Sequence, residues 1–193
     1  MWASALKAGQ IGILGTDTVW GLSGLATAEN AQRIAKLKHR DPSSPFILLI
    51  ADQAMATHYA LFDAVYKETL ANDLWPGPIT LILPKKDLLS GAVPGPTVAL
   101  RCPNYPQLRA LIAEVGYPLF STSLNLSGQP TPTSLAEVPE ALKTGVDFMA
   151  TDLPPLGGAA STVLDCAGDT PQIRRKGAGL DAVLDHPLCR HCL

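Results

Sequence analysis

Between residues 121 and 134 the chain reads STSLNLSGQPTPTS: four serines and three threonines, with no histidine, cysteine, aspartate or glutamate. The stretch follows the apolar GYPLF of residues 116–120, which has the pattern of a strand. Two readings stand for it. It is an ordinary surface loop, or it is a cradle of hydrogen-bond donors for a charged ligand. The cations that would complete such a cradle are clustered, with Arg33, Lys36, Lys38 and Arg40 in one stretch and Arg174, Arg175 and Lys176 in another.

Lys38 and Arg40 stand two apart where a helix-like pattern gives way to the proline-broken DPSSPF. The helix dipole alone favours cations there, by about 0.3–1 kcal/mol. A functional role needs both to point into a cleft, where arginine can grip phosphate or carboxylate through two parallel hydrogen bonds. Arg101, in TVALRC, is out of phase with Val98 and Leu100. A charged side chain is rarely buried without a partner, so Arg101 either faces solvent on an edge or reaches an anion in a site. LGTDTVWGLSG, Leu14 to Gly24, carries three glycines and reads as a polar turn between a strand and a helix near Ala28. It either offers backbone N–H groups to an anion or is a tight turn in which Thr16 and Thr18 bond locally. It matches neither the dinucleotide fingerprint nor the Walker pattern. The hydroxyls of ASTVLD and the late basic IRRKG complete the set. None of the four histidines (His39, His58, His186, His191) lies in a nucleophile–base motif, which argues against a Ser-His-Asp hydrolase.

The elements that must position these residues alternate in period. Residues 10–14, 46–51, 79–83, 97–102, 118–122, 147–151, 161–166 and 172–176 read as short strands, several continuously apolar. Residues 28–40, 63–75 and 105–115 read as amphipathic helices, and Ser134 with Glu137 forms a capping-box pattern for another. Strands alternating with helices imply an α/β fold with ligands beyond strand ends. The 193 residues, 47% hydrophobic and 17% charged, suit a single domain over 1–193 with a core of about residues 10–177. No apolar run reaches the ~18–20 residues of a spanning helix, and MWASALKAGQ lacks the zones of a signal peptide, so a soluble cytoplasmic protein is expected. The formal charge of −2 counts against a dedicated nucleic-acid binder. Cys102 and Cys166 read as buried thiols. The tail DHPLCRHCL gathers His186, Cys189, His191 and Cys192, but not at a common zinc spacing. A frayed, thiol-bearing terminus is expected there, and the role of the four residues stays open.

In this order TDTVWGL (Thr16 to Leu22), KHR (Lys38 to Arg40), PGPIT (Pro76 to Thr80), VALRCP (Val98 to Pro103), SLNLSG (Ser123 to Gly128), STVLD (Ser161 to Asp165) and RKG (Arg175 to Gly177) resemble the YrdC-like family, the threonylcarbamoyl-AMP synthases. The resemblance spans roughly residues 10–177 and matches the short, single-domain members. It implies a twisted open mixed β-sheet flanked by helices, with a concave, positively charged cavity. It implies a nucleotidyltransferase that joins L-threonine, bicarbonate and ATP into L-threonylcarbamoyladenylate, with release of pyrophosphate. The product serves the threonylcarbamoylation of an adenosine beside the tRNA anticodon, which links the protein to tRNA and to threonylcarbamoyl-transferase proteins. Thr16, Arg101, Ser121 and Ser161 resemble the threonine-binding set. Lys38, Arg40, Ser44, Thr97, Ser123, Asn125, Thr131 and Arg175 resemble the ATP-binding set. Of these, Lys38, Arg40, Ser123 and Asn125 are taken as catalytic. Mg²⁺ is expected to arrive with ATP, with no ligand from protein side chains. Two departures stand out. Gly15 replaces a common proline, which is expected to loosen its turn, and Leu49 stands where longer members often carry histidine. The alternatives are a related enzyme activating another carbamate or carbamoyl donor, and an RNA-binding module.

Overall fold

The computed structural model describes residues 1–192 apart from 42, 90, 127, 128 and 133. In chain order the elements are α1 (Trp2–Lys7), β1 (Gly12–Gly15), β2 (Trp20–Leu25), α2 (Ala28–Leu37), β3 (Ile47–Leu49), α3 (Gln53–Tyr59), α4 (Val65–Leu74) and β4 (Ile79–Pro84). There follow β5 (Thr97–Arg101), α5 (Pro106–Val115), β6 (Leu119–Ser123), α6 (Glu140–Thr144), β7 (Phe148–Met149), β8 (Thr162–Asp165), β9 (Gln172–Arg175) and α7 (Leu180–Asp185). Among the described residues the strands form one nine-stranded sheet in the order β7-β1-β2-β6-β3-β5-β4-β8-β9. It is mixed: β3 runs parallel to β5 and β4 to β8, whereas β6 is antiparallel to both β2 and β3. This is the α/β fold the alternating pattern predicts, and each of the eight predicted strands meets an observed one.

The ninth, β2, corrects the reading of residues 14–24 as a turn into a helix. WGLSGL is a strand, paired with β1 as a hairpin and with β6 on its other side. Glycine is normally depleted from strands because it adds flexibility and no packing surface. Here both glycines answer to space. A Cβ at Gly21 would lie 2.6 Å from Ser121 Oγ, and one at Gly24 would lie 2.7 Å from Ile11 Cγ2. Gly15 is equally constrained, not loosened. Its N–H donates to Leu153 O at 2.9 Å, and a Cβ would stand 2.2 Å from that same oxygen. A proline there would forfeit the bond.

Cross-strand partners share a face, which sorts the sheet into two sides. Leu22, Phe120, Leu48, Leu100 and Leu81 point to one side and pack, fully buried, with Ile34 of α2, Ala56 of α3 and Leu70 of α4. Each such leucine contributes about 1.5–3 kcal/mol by leaving water. On the other side, Leu14, Leu49 and Leu119 are covered by α1 and α5 through Leu6, Leu108 and Ile112. The same side also carries Gly21, Ser23, Ser121, Ser123, Ala99 and Arg101. Small and polar residues there leave a concavity beside the helices. Here the cavity forms.

Two further expectations change. Ser134 and Glu137 begin only a 3-10 turn, Leu135–Glu137, and Ser134 makes no side-chain cap bond. A turn this short leaves few orphan N–H groups for a cap to serve. The C-terminal segment is folded rather than frayed. Val183 and Cys189 are buried in the main core with Cys166, as is Cys192, whose carbonyl accepts from Ile173 N. His186 Nε2 lies 3.0 Å from Asp73 Oδ2 on α4. Thiols behave as small apolar groups, and their burial secures the segment. Cys102 and Cys166 are buried as anticipated. Among the described residues no group of three or more His, Cys, Asp or Glu side chains is placed to hold a metal, and no helix is long and apolar enough to cross a membrane.

Candidate active site

A cavity of about 120 Å³ opens on the small-residue side of the sheet. Its floor is Gly21, Ile47, Leu49, Ser121 and Ser123, and its walls include Thr16, Thr18, Arg40, Arg101, Ser161 and Arg175. Seven of the twelve residues singled out from the sequence therefore meet here: Thr16, Arg40, Arg101, Ser121, Ser123, Ser161 and Arg175. Leu49 contributes an apolar patch to the floor.

The hairpin between β1 and β2 builds one wall. Thr16 Oγ1 accepts from Thr18 N at 3.1 Å and Val19 N at 3.2 Å and donates to Val19 O at 2.8 Å, which holds the tip. The tip in turn holds Arg101, which is 4% exposed. Arg101 Nη1 donates to Thr18 Oγ1 at 2.9 Å, and Nη2 stands 3.2 Å from Asp17 Oδ1. Asp17 Oδ2 accepts from Asn104 N at 3.0 Å. The Nε–H of Arg101 is buried with no partner among the described residues. Burial pushes the Arg101 pKa down, Asp17 opposes that, and the nearby Arg175 adds to it.

The opposite wall is built by β8 and β9. Arg175 Nε donates to Ser161 O and Nη2 to Ser161 Oγ, both at 3.0 Å. Ser161 Oγ also lies 2.8 Å from Thr80 Oγ1 on β4. Gly177 lets the two segments approach, because a Cβ there would sit 2.2 Å from Ala160 O.

Lys38 and Arg40 flank His39, whose φ of +49° is left-handed. This turn ends α2 and sends the two cations apart. Arg40 lies on the cavity wall, with Nη2 donating to Pro45 O at 3.0 Å and the guanidinium 5.1 Å from the Phe46 ring. Lys38 is not on the wall. Its Nζ reaches the end of β6, where it donates to Thr122 Oγ1 at 3.1 Å, to Ser123 O and to Asn125 Oδ1 at 3.5 Å. Burial, and then Arg40, lower the Lys38 pKa to about 8.

Asn125 and Thr131 belong to a neighbouring cavity of about 260 Å³, with Gln129, Pro130 and Glu137. Asn125 joins the two, since its Oδ1 accepts from Ser123 Oγ and its Nδ2 donates to Gln129 O at 2.6 Å. Ser44 bonds Asp41 O through its N–H and precedes Pro45 of the wall. Thr97 shares the Arg101 face of β5 but lies outside the lining. Ser127 and Gly128, which close the SLNLSG motif, and Thr133 of the hydroxyl-rich stretch lie outside the described residues.

The charge balance of the site is one-sided. Among the described residues three guanidinium groups line the cavity, and no aspartate or glutamate does. Among the described residues only Arg101 of this group has a carboxylate partner; Lys38, Arg40 and Arg175 have none. Uncompensated cations beside oriented hydroxyls form a receptor for anions. Asp17 and Thr80 are the parts of it that sequence reasoning missed, and Thr18, read there only as a local turn residue, also holds Arg101. All three lie inside the quoted motifs TDTVWGL and PGPIT, but nothing local signals that Asp17 and Thr18 would meet Arg101 or that Thr80 would meet Ser161.

Over residues 4–177 the chain matches the Sua5, YciO and YrdC family, described as "Telomere recombination". It is 37% identical over 181 residues to the threonylcarbamoyl-AMP synthase of Bacillus subtilis, covering 91% of this chain and 52% of that protein. It is 35% identical over 167 residues to the synthase of Idiomarina loihiensis, covering 83% of this chain and 89% of that one. The solved structure of Pyrococcus abyssi Sua5 complexed with L-threonine matches with a TM-score of 0.78 at 32% identity, over 91% of this chain and 53% of the other. The chain thus spans about half the length of the Bacillus and Pyrococcus relatives. Sequence motifs, sheet and similarity agree, and the chain belongs to the Sua5/YciO/YrdC family.

Proposed function

We propose that this protein is an L-threonylcarbamoyladenylate synthase. L-threonine and bicarbonate form a carbamate with loss of water. The carbamate oxygen attacks the α-phosphorus of ATP, and the bond from that phosphorus to the α,β-bridging oxygen breaks to release pyrophosphate. The nucleophile arrives as an anion, so the site needs no histidine or serine base. It needs charge neutralisation and alignment of two groups that repel each other.

The observation that carries this reading is a cavity lined by Arg40 and Arg175, which have no carboxylate partner, and by no acidic side chain among the described residues, with Lys38 buried beside it at the end of β6. Arg40, Lys38, Ser123 and Asn125 stand where the cavity meets its neighbour and are proposed to hold the polyphosphate and the reacting phosphorus, with Ser44, Thr97, Thr131 and Arg175 completing the nucleotide side. Thr16, Arg101, Ser121 and Ser161 are proposed to hold threonine. A Mg²⁺ ion is proposed to arrive with ATP, carried by the phosphate oxygens and water, where it would offset their charge. The product would serve the threonylcarbamoylation of adenosine beside the tRNA anticodon, through separate transferase proteins.

The test is release of pyrophosphate from ATP, followed with and without L-threonine and bicarbonate. Release that needs both, with threonylcarbamoyl-AMP identified by mass spectrometry, is the expected result. Release indifferent to threonine would overturn the assignment.

A further inference from the structure

Thr80 lies on β4, fully buried, on the side of the sheet that carries Arg101. Among the described residues its hydroxyl has one hydrogen-bond partner, Ser161 Oγ at 2.8 Å. Ser161 is 1% exposed yet lies on the cavity wall, so a small part of it is open to whatever the cavity holds. Each hydroxyl has one proton to give and two lone pairs to receive.

The proton directions follow from counting. Arg175 can only donate, so its Nη2–H takes one lone pair of Ser161. One proton lies between Ser161 and Thr80. Were Ser161 to supply it, the Thr80 proton would be left in a fully buried place with no acceptor among the described residues. A buried donor without an acceptor is costly and rare. When Thr80 supplies the proton, it fills the second lone pair of Ser161, and no buried donor is orphaned. The Ser161 proton then has the cavity as its remaining direction.

We infer that Thr80 is a positioning residue whose hydroxyl fixes Ser161 as a donor into the cavity, so that the Ser161–Arg175 end accepts only an acceptor group, an anionic oxygen. The arrangement excludes an ammonium from this end, because both side chains present hydrogen there. With threonine as ligand, a reading that rests on the proposed function, the carboxylate or carbamate oxygen faces Ser161 and the amine lies elsewhere.

Thr80→Val keeps the shape and removes the proton donor, whereas Thr80→Ser keeps the donor and gives up only the γ-methyl. In Thr80→Val, Ser161 is free to turn its proton away, and KM for L-threonine should rise about tenfold, the ratio one hydrogen bond to a charged group is worth. KM for ATP should stay within about twofold, and Thr80→Ser should restore the threonine value. Ser161→Ala should cost a similar factor alone and nothing more when added to Thr80→Val. An unchanged KM in Thr80→Val, or losses that multiply, would overturn the inference. Neutron diffraction from the deuterated wild-type protein reads the proton directly and needs no substrate. A deuteron on Thr80 pointing at Ser161 Oγ supports the assignment, and one on Ser161 pointing at Thr80 overturns it. Wild-type turnover indifferent to threonine would refute the proposed reaction and leave the neutron result standing.

Discussion

Asp17 and Arg101 form an ion pair inside the wall of the cavity, 3.2 Å from Oδ1 to Nη2, with side chains 6% and 5% exposed. A pair this buried holds Arg101 in one place and lends the site a guanidinium that does not wander. Removing one partner of a buried pair leaves the other charge uncompensated, at a cost of about 3–5 kcal/mol. Asp17→Asn should therefore lower the unfolding free energy by roughly 3 kcal/mol, measured by urea denaturation. The same change in an exposed pair such as Arg174 with Asp165 should cost less than about 1 kcal/mol.

Lys38 sets a pH dependence. Its pKa is about 8 in the fold against 10.5 in the ordinary state, because burial disfavours its charge. Between those values the unfolded chain binds more protons, so this group's contribution to stability rises with pH. Its penalty is full below pH 8 and gone above 10.5. Lys38→Met should stabilise the ligand-free protein at pH 7, and the gap from wild type should close as pH climbs toward 10.5. In the proposed reaction kcat/KM for ATP should fall as pH passes 8 and Lys38 loses its charge, whereas Lys38→Met should start low and show no such fall.

Gly21 is a test of the cavity floor. A Cβ there would fall 2.6 Å from Ser121 Oγ, whose hydroxyl can rotate away. Gly21→Ala should leave the fold intact by circular dichroism and displace that hydroxyl. KM for L-threonine should rise by about tenfold or more, the value of a lost hydrogen bond to a charged group.

His39 pays for the divergence of Lys38 and Arg40 with a left-handed backbone, φ +49°. A residue with a Cβ is strained there by about 1 kcal/mol relative to glycine. His39 is exposed, so little packing is lost with its ring. His39→Gly should raise stability by up to about 1 kcal/mol in thermal unfolding and leave turnover near wild type.

Most strands could be read directly because alternation and apolar runs are local properties. ITLIL, TVALRC and PLFST carry their own evidence of being strands, and β4, β5 and β6 are where they were read. β2 could not be read so, because its glycines reflect Ser121 and Ile11, neighbours that exist only once the sheet is assembled. The tail escaped for a related reason. Cys189 and Cys192 look exposed in a terminal sequence, and only the core beside Cys166 explains their burial.

By itself the sequence determined the α/β class, the family and the chemical character of the site. Hydroxyls and cations without acid–base partners are visible in composition and order. The tertiary structure alone decided which of them meet. Strand order places β6 between β2 and β3, which gathers Gly21, Ser121 and Ser123 on one floor, and β8 beside β4, which brings Ser161 to Thr80. Arg101 finds Asp17, far away in sequence, by the same crossing of chains. Hydrogen-bond direction and charge pairing depend on separations of a few ångströms between distant segments, and local sequence pattern contains no record of those.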